Sequence, residues 1–222
     1  MNVEGIRCEF AELRGALGKK EAESIEIVGA CFEADEPSIF GTVDYGYVGR
    51  EIDWYLSESL NVRSMQGSIP KIWEQVSSDE GFINSNYGYL FFSPGNCDQF
   101  GHVVDELRRD RDSRRAVAIY TRPTIHYESQ HHGMQDFICT NAVQYLVRGG
   151  KLDAVVQMRS NDAVYGYKND YAWQRYAQSE VVDKIKLLYP ELEPGKIVWQ
   201  VGSLHMYARH FYLIDEWIKN HE

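Results

Sequence analysis

The sequence predicts an α+β fold in a single domain. Segments with strand-like and helix-like periodicity are interspersed along the chain without strict alternation, which disfavours a doubly wound sheet. No internal repeat, low-complexity tract or linker divides the 222 residues. A hydrophobic share of 44%, which includes the 13% aromatics, is enough to bury a substantial core. A chain of this length is long for one domain but not clearly long enough for two.

Residues 4–16 (EGIRCEFAELRGA) carry apolar positions at helical spacing and predict a first helix. SIEIVGACF (24–32) alternates and is rich in β-branched residues, so it reads as a strand. DEPSIFG is turn chemistry leading into another extended piece. YVGREIDWYLSESL sets Val48, Ile52, Tyr55 and Leu56 on one side of an amphipathic helix. Residues 60–97 are loop-rich around KIWEQV, and CDQFGHVVDELRRD (97–110) predicts a second long helix. RAVAIYTRP (115–123), FICTNAVQYLVR (137–148) and KLDAVVQMRS (151–160) predict three strands, the last two joined as a hairpin by Gly149-Gly150. The polar stretch RSNDAVYGYKNDY (159–171) reads as a loop with Asp170 at the start of a helix over 170–189. IVWQVGSLHMYARHFYL (197–213) is extended, and DEWIKN closes the chain as a short helix.

A formal charge of −10 argues against a nucleic-acid or membrane surface, since either needs a basic field. An anionic ligand therefore requires a local cluster of arginines. No stretch has the pattern of a signal peptide, and no apolar run approaches the ~20 residues that span a bilayer, so a cytoplasmic location with reduced thiols is expected. Cys8, Cys31, Cys97 and Cys139 are scattered without metal-ligand spacing, which suggests neither a zinc site nor a disulfide framework. The first three read as structural. His131 and His132, in YESQHHGMQD, read as a solvated loop rather than a metal site.

Four stretches place polar or reactive groups in apolar surroundings. Cys139 lies in DFICTNAVQY, where a strand cysteine is either a small hydrophobe or a nucleophile. Arg114 and Arg115 (DSRRAV) are either a solvated pair or a phosphate clamp, since guanidinium forks match phosphate oxygens. Arg159 and Ser160 form a second possible anion site at a strand end. His205 and Tyr207 (HMY) project to one side of an extended segment. Asp170 either caps a helix or reads a ligand.

Together, and in this order along the chain, DSRR, FICTN, RSND with Gly166 four residues on, and HMY resemble the active-site segments of the thymidylate synthase family. REIDWYL fits the helix carrying that family's functional glutamate, here Glu51; IWE fits with Trp73, and NYG with Tyr87. The resemblance spans residues 24–213. It departs where the family has an asparagine, in a PFN segment, against the pyrimidine edge: the residues here are Lys168, Asn169 and Asp170. Uracil offers a donor at ring nitrogen 3 and an acceptor at carbon 4, which an amide complements; cytosine reverses both, and a carboxyl can accept from its amine. Thr140 likewise stands where most of the family has histidine. These changes, with ADEPSIFG, ICTNAVQYLVR and GSLHMYARHFYL, are similar to the phage branch of the family that hydroxymethylates deoxycytidylate (dCMP).

The resemblance implies a mixed sheet flanked by helices, a sheet-to-sheet homodimer, and 5,10-methylenetetrahydrofolate as cosubstrate without a metal. It implies Cys139 as nucleophile, its pKa lowered by Arg159, with Glu51 organising water and Tyr87 on the proton network. Asp170 would read the base. Phosphate would be held by Arg159 and Ser160 and by Arg114 and Arg115 from the partner subunit, and the sugar by His205 and Tyr207. Trp73, Asp162 and Gly166 would line the folate side. The family's N-terminal phosphate arginine has no counterpart in ACFEADEPSIFG, leaving Lys19 or Lys20 as substitutes. The sequence stops at Glu222 without the family's longer tail, an arrangement expected to admit water. A methyltransferase acting on dCMP, a hydroxymethylase acting on CMP, a non-catalytic binding homologue, and membership of a larger nucleotide-synthesis complex stay open.

Overall fold

A computed structural model describes residues 1–18 and 21–221. Lys19 and Lys20 lie outside the described residues. The architecture is α+β: one five-stranded mixed sheet with helices packed on one face. Its order is β1 (Ser24–Glu33), β5 (Glu193–Tyr207), β4 (Lys151–Asp162), β3 (Thr140–Arg148) and β2 (Val117–Ile119). Only the β4–β5 pair is parallel.

The hairpin between β3 and β4 forms as expected. Gly149 and Gly150 take φ of +56° and +78°, the left-handed values that a two-residue connection of this kind requires. The strand expected over 115–123 shrinks to three residues, Val117–Ile119, which pair with Ala142 to Gln144 of β3. No strand follows DEPSIFG; that stretch runs as a loop to Asp44, which caps the next helix through Tyr47 N.

Helix α1 (Val3–Leu17) buries Val3, Ile6 and Phe10 against the sheet edge. Helix α2 (Tyr45–Leu56) forms where expected, but its buried face is Val48, Glu51, Trp54 and Tyr55, while Leu56 is exposed. The amphipathic stripe is thus turned so that an acid faces inward. Within the segment read as loop-rich lie α3 (Lys71–Val76) and α4 (Tyr87–Phe92). The second is only six residues long and aromatic throughout, so it shows no helical periodicity; it is held by the Asn86 cap and by packing. Helix α5 (Gln99–Arg109) is capped by Asp98, and α6 (Ile125–Glu128) is a single turn.

Helix α7 (Gly166–Ile185) begins four residues earlier than Asp170, which therefore sits inside the helix and caps nothing. The final helix, α8 (Phe211–His221), likewise absorbs FYL from the segment read as extended. Trp173 and Trp199 are fully buried between α7 and the sheet, next to Tyr120, Tyr145 and Tyr167. Cys8, Cys31 and Cys97 are exposed, so they do not pack the core as structural cysteines would.

One irregularity positions the site. In β1 the buried residues are Ile27, then Ala30 and Phe32; in β5 Ile197, Trp199 and Val201, then Leu204 and Met206; in β4 Leu152 to Met158 on even numbers, then Asn161. Each strand changes sides at one row, formed by Gly29, Gly202 and Arg159, while the pairing register continues unchanged. Gly29 holds φ at +72°, and a Cβ on Gly202 would stand 2.7 Å from the Arg159 carbonyl oxygen. Close approach of three backbones permits the flip.

Helix α4 crosses α2 where Gly88 meets the Tyr55 backbone; a Cβ there would lie 1.8 Å from the Tyr55 carbonyl oxygen. Gly88→Ala is expected to force the helices apart at a cost of about 2–3 kcal/mol, lowering the melting temperature by about 4–10 °C. A thermal melt that matches wild type would show that the two helices separate freely.

Candidate active site

The site lies where α2, α4, the start of α7 and the ends of β4 and β5 converge on the segment before β3. Cys139 immediately precedes β3, partly buried, its thiol 3.5 Å from Nη2 of Arg159. The guanidinium is fixed by donating to the carbonyls of Ile138 (3.1 Å) and Phe137 (2.6 Å), and it lies over the Phe137 ring. Burial pushes the thiol up to about 11; Arg159 pulls it down, but Asp170 and Asp136 add to the upward shift. The expected depression by Arg159 is therefore real in sign and outweighed by desolvation, so the resting sulfur is a thiol.

Asp136 staples the cysteine segment to the loop before α4. Its buried carboxylate accepts from Asn84 N, Ser85 N and Ser85 Oγ, each at 2.7 Å. Nothing in the sequence periodicity marks it, because its role is long-range.

Glu51 is buried on the inward face of α2. Its carboxylate accepts from the Tyr47 hydroxyl and, at 3.0 Å, from Trp73 Nε1. Burial raises its pKa to about 6, although both hydrogen bonds oppose the rise. Trp73, expected as a folate wall, thus also holds the glutamate. Tyr47, one turn before Glu51, was not foreseen; the i, i+4 spacing is the signal that could have found it.

Asp170 takes a hydrogen bond from Asn161 Nδ2 at 2.6 Å. Burial first, and then the nearby Glu51, push its pKa up to about 8, against hydrogen bonds from Asn161 and Tyr87. The carboxyl is protonated at neutral pH. Tyr87 is buried and accepts from Thr140 Oγ1 at 3.0 Å. Thr140 is fully buried, so it faces the core and supports Tyr87 rather than a nucleobase. Asn161, which touches the key acid, escaped the sequence reading although it lies within RSND.

Ser160 Oγ lies 3.4 Å from His205 Nδ1, and the His205 ring meets Tyr207 edge-on at 5.1 Å. Arg209 adds a cation over Tyr207. These polar groups follow the row where β4 and β5 change sides. Asp162 uses Oδ1 to accept from Val164 N (2.7 Å) and Tyr165 N (3.4 Å), shaping the turn into α7. Gly166 opens that helix, and a Cβ there would sit 3.0 Å from Asn161 Nδ2. Lys168, buried, donates to the Thr42 carbonyl and ties the loop ahead of α2 to α7.

Arg114 and Arg115 do not join this cleft within the chain. Gln144 reaches the Arg114 carbonyl at 2.7 Å, five residues along from Cys139, or about 16 Å at the rise of a strand. Both arginines are exposed, and Arg115 is paired with Glu106. Among the described residues no cluster of His, Cys, Asp and Glu could hold a metal ion, and no helix is long and apolar enough to cross a membrane.

Residues 42–222 match the family model for thymidylate synthase. Proteins of Enterobacteria phages T6 and T4 named deoxycytidylate 5-hydroxymethyltransferase are each 47% identical, over 100% of this chain and 93% of theirs. A thymidylate synthase of Fusobacterium nucleatum subsp. nucleatum is 30% identical over 73% of this chain and 56% of its own length. The structure of thermostable thymidylate synthase A from Bacillus subtilis superposes with a TM-score of 0.66 at 20% identity, covering 86% of this chain and 69% of that one, a likeness of fold.

A carboxyl whose pKa is raised on folding retains a proton that the unfolded chain has released. Stability therefore falls as pH rises from about 4, the ordinary value, to about 8, the folded one. Asp170→Asn removes that loss. It is expected to melt above wild type at pH 8 by at least about 4 °C, roughly 1–2 kcal/mol, with the gap closing toward pH 4. A gap independent of pH would mean that Asp170 is ionised in the fold.

Proposed function

The chain belongs to the thymidylate synthase family, and from that premise we propose that it is a deoxycytidylate 5-hydroxymethyltransferase. The carrying observation is the carboxyl of Asp170, held by Asn161 Nδ2 at 2.6 Å and raised in pKa by burial, where the family reads the base edge. The 47% identical phage relatives bear that name over nearly their whole length.

The Cys139 sulfur adds to ring carbon 6 of dCMP once its proton is lost, and Arg159 stabilises the anion as it forms. A proton from Asp170 to ring nitrogen 3 offsets the charge driven into the pyrimidine, making carbon 5 nucleophilic. Carbon 5 then takes up a one-carbon unit, which 5,10-methylenetetrahydrofolate supplies in this family. The chain fits that cosubstrate: Trp73 presents a half-buried indole, the second oxygen of Asp162 takes no hydrogen bond among the described residues, and Gly166 leaves the cleft open. No metal enters.

Loss of the carbon-5 proton and departure of tetrahydrofolate leave an exocyclic methylene. Glu51, near neutrality at about 6 and anchored by Tyr47 and Trp73, accepts the proton of a water that adds to it. The product is 5-hydroxymethyl-dCMP, and expulsion of the thiolate restores the aromatic ring. Tyr87 positions Asp170. Arg159 and Ser160 bind phosphate, with His205 and Tyr207 on the sugar hydroxyl.

Arg114 and Arg115 serve the site of a partner subunit. Their distance from Cys139 supports a homodimer, as does the outer face of the sheet, where Val28, Cys31 and Gln157 are exposed in the single chain.

Incubating dCMP and methylenetetrahydrofolate in oxygen-18 water is expected to place solvent oxygen in the product, as mass spectrometry reads. A product of 5-methyl-dCMP with dihydrofolate accumulating would overturn hydroxymethylation. Cys139→Ala should lose at least about 1,000-fold in kcat/KM, because no weaker nucleophile lies on the same path. CMP in place of dCMP tests the sugar.

A further inference from the structure

A neutral carboxyl is an ambiguous reader of pyrimidines. With its proton on the oxygen beside ring nitrogen 3, it donates to that nitrogen and accepts from an amine on carbon 4, the pattern of cytosine. With its proton on the other oxygen, it accepts from an N–H at position 3 and donates to a carbonyl, the pattern of uracil. An aspartate in place of the family's asparagine does not by itself choose the base. Some neighbour must decide which oxygen holds the proton.

Asn161 stands at that point. It is buried, with 4% of its surface exposed, and its Nδ2 lies 2.6 Å from Oδ2 of Asp170. A donor there favours the carbonyl form of Oδ2, because a carbonyl oxygen accepts far better than the hydroxyl oxygen of a carboxylic acid, so a proton at Oδ2 would weaken the bond of a buried amide N–H. Asn161 Oδ1 has no partner among the described residues, so no competing contact fixes the amide. Gly166 leaves the amide its space, since a Cβ would come within 3.0 Å of Nδ2 and 3.7 Å of Asp170 Oδ2.

We propose that Asn161 is a specificity-determining residue whose amide N–H holds Oδ2 of Asp170 as the acceptor for cytosine's exocyclic amine, leaving the carboxyl proton on Oδ1 beside ring nitrogen 3. Uracil requires the opposite arrangement and meets a donor facing a donor. The inference rests on the proposed cytosine substrate and explains how a symmetric group achieves an asymmetric choice. The titratable groups facing Asp170 are Glu51, Tyr47 and Tyr55 from α2, Tyr87 from α4, Asp162 from β4 and Cys139 ahead of β3. Tyr87 also hydrogen-bonds the carboxyl, while Asn161 makes the short contact to Oδ2.

The test is release of tritium from carbon 5 of dCMP and of dUMP without folate, so that the cosubstrate site plays no part. Wild type is expected to exchange dCMP; failure to do so on either base would overturn the proposed function itself. Asn161→Leu, close in volume and lacking the donor, is expected to reduce the preference for dCMP over dUMP by about tenfold or more. It should also shift the alkaline limb of the dCMP profile to higher pH, because the lost hydrogen bond had lowered the Asp170 pKa. An active variant with unchanged preference and profile overturns the inference and leaves the function standing. A mutation-free reading covers a variant that fails to fold: the Asn161 side-chain amide signal of wild type, followed by NMR, should move with the Asp170 titration and on adding dCMP, and a signal that follows neither overturns it.

Discussion

A half-buried aspartic acid packed beside a second, buried acid is the constraint on which the cleft depends. Asp170 sits one turn into α7, beside the buried Glu51 and beneath the Tyr87 hydroxyl, and its surroundings favour the neutral form. Burial raises both acids, Glu51 to about 6 and Asp170, which also feels Glu51, to about 8. In the proposed reaction that separation lets the lower one accept a proton near neutrality and the higher one give one. The fold bears this cost in stability because its aromatic core, centred on Trp173 and Trp199, is large.

The scaffold serves the two acids with few fasteners. Lys168 joins the loop ahead of α2 to α7 and so fixes the separation of the helices that carry Glu51 and Asp170. Asp136 does the same for the cysteine segment and the loop before α4. On the sheet, the row of Gly29, Gly202 and Arg159 turns three strands over. Asn161 thereby enters the buried side beneath Asp170, while Ser160 and His205 come to the anion side. Without the flip, strict alternation would send Asn161 to the opposite face from Met158.

The chain's charge of −10 poses a problem for a nucleotide monophosphate site, and the local answer is a single guanidinium held rigid. Arg159 spends its donors on two carbonyls and lies over an aromatic ring, which fixes it beside the thiol and at the phosphate end at once. The other two arginines of the motif are exposed far along β3, so the phosphate site is complete only in the proposed homodimer. The outer sheet face, where Val28 and Cys31 are exposed, is the surface that the proposed homodimer would use.

The sequence by itself determined the α+β class, the Gly149-Gly150 hairpin, most helices and the family. Cys139, Glu51, Arg159, Ser160, Asp170 and His205 could be singled out because their motifs are contiguous and in the family's order. Local periodicity misplaced the starts of α7 and α8, missed α4, and placed Val48 and Tyr55 but not Leu56 on the right side of α2. In each case burial against distant residues outweighed a weak local preference. Only the tertiary structure decided that Thr140 serves the core, that Tyr47 anchors Glu51, that Asn161 meets Asp170, and that burial overrides Arg159 at the thiol. Desolvation and charge act through space, summed over residues far apart in the chain, and no local pattern of residues records that sum.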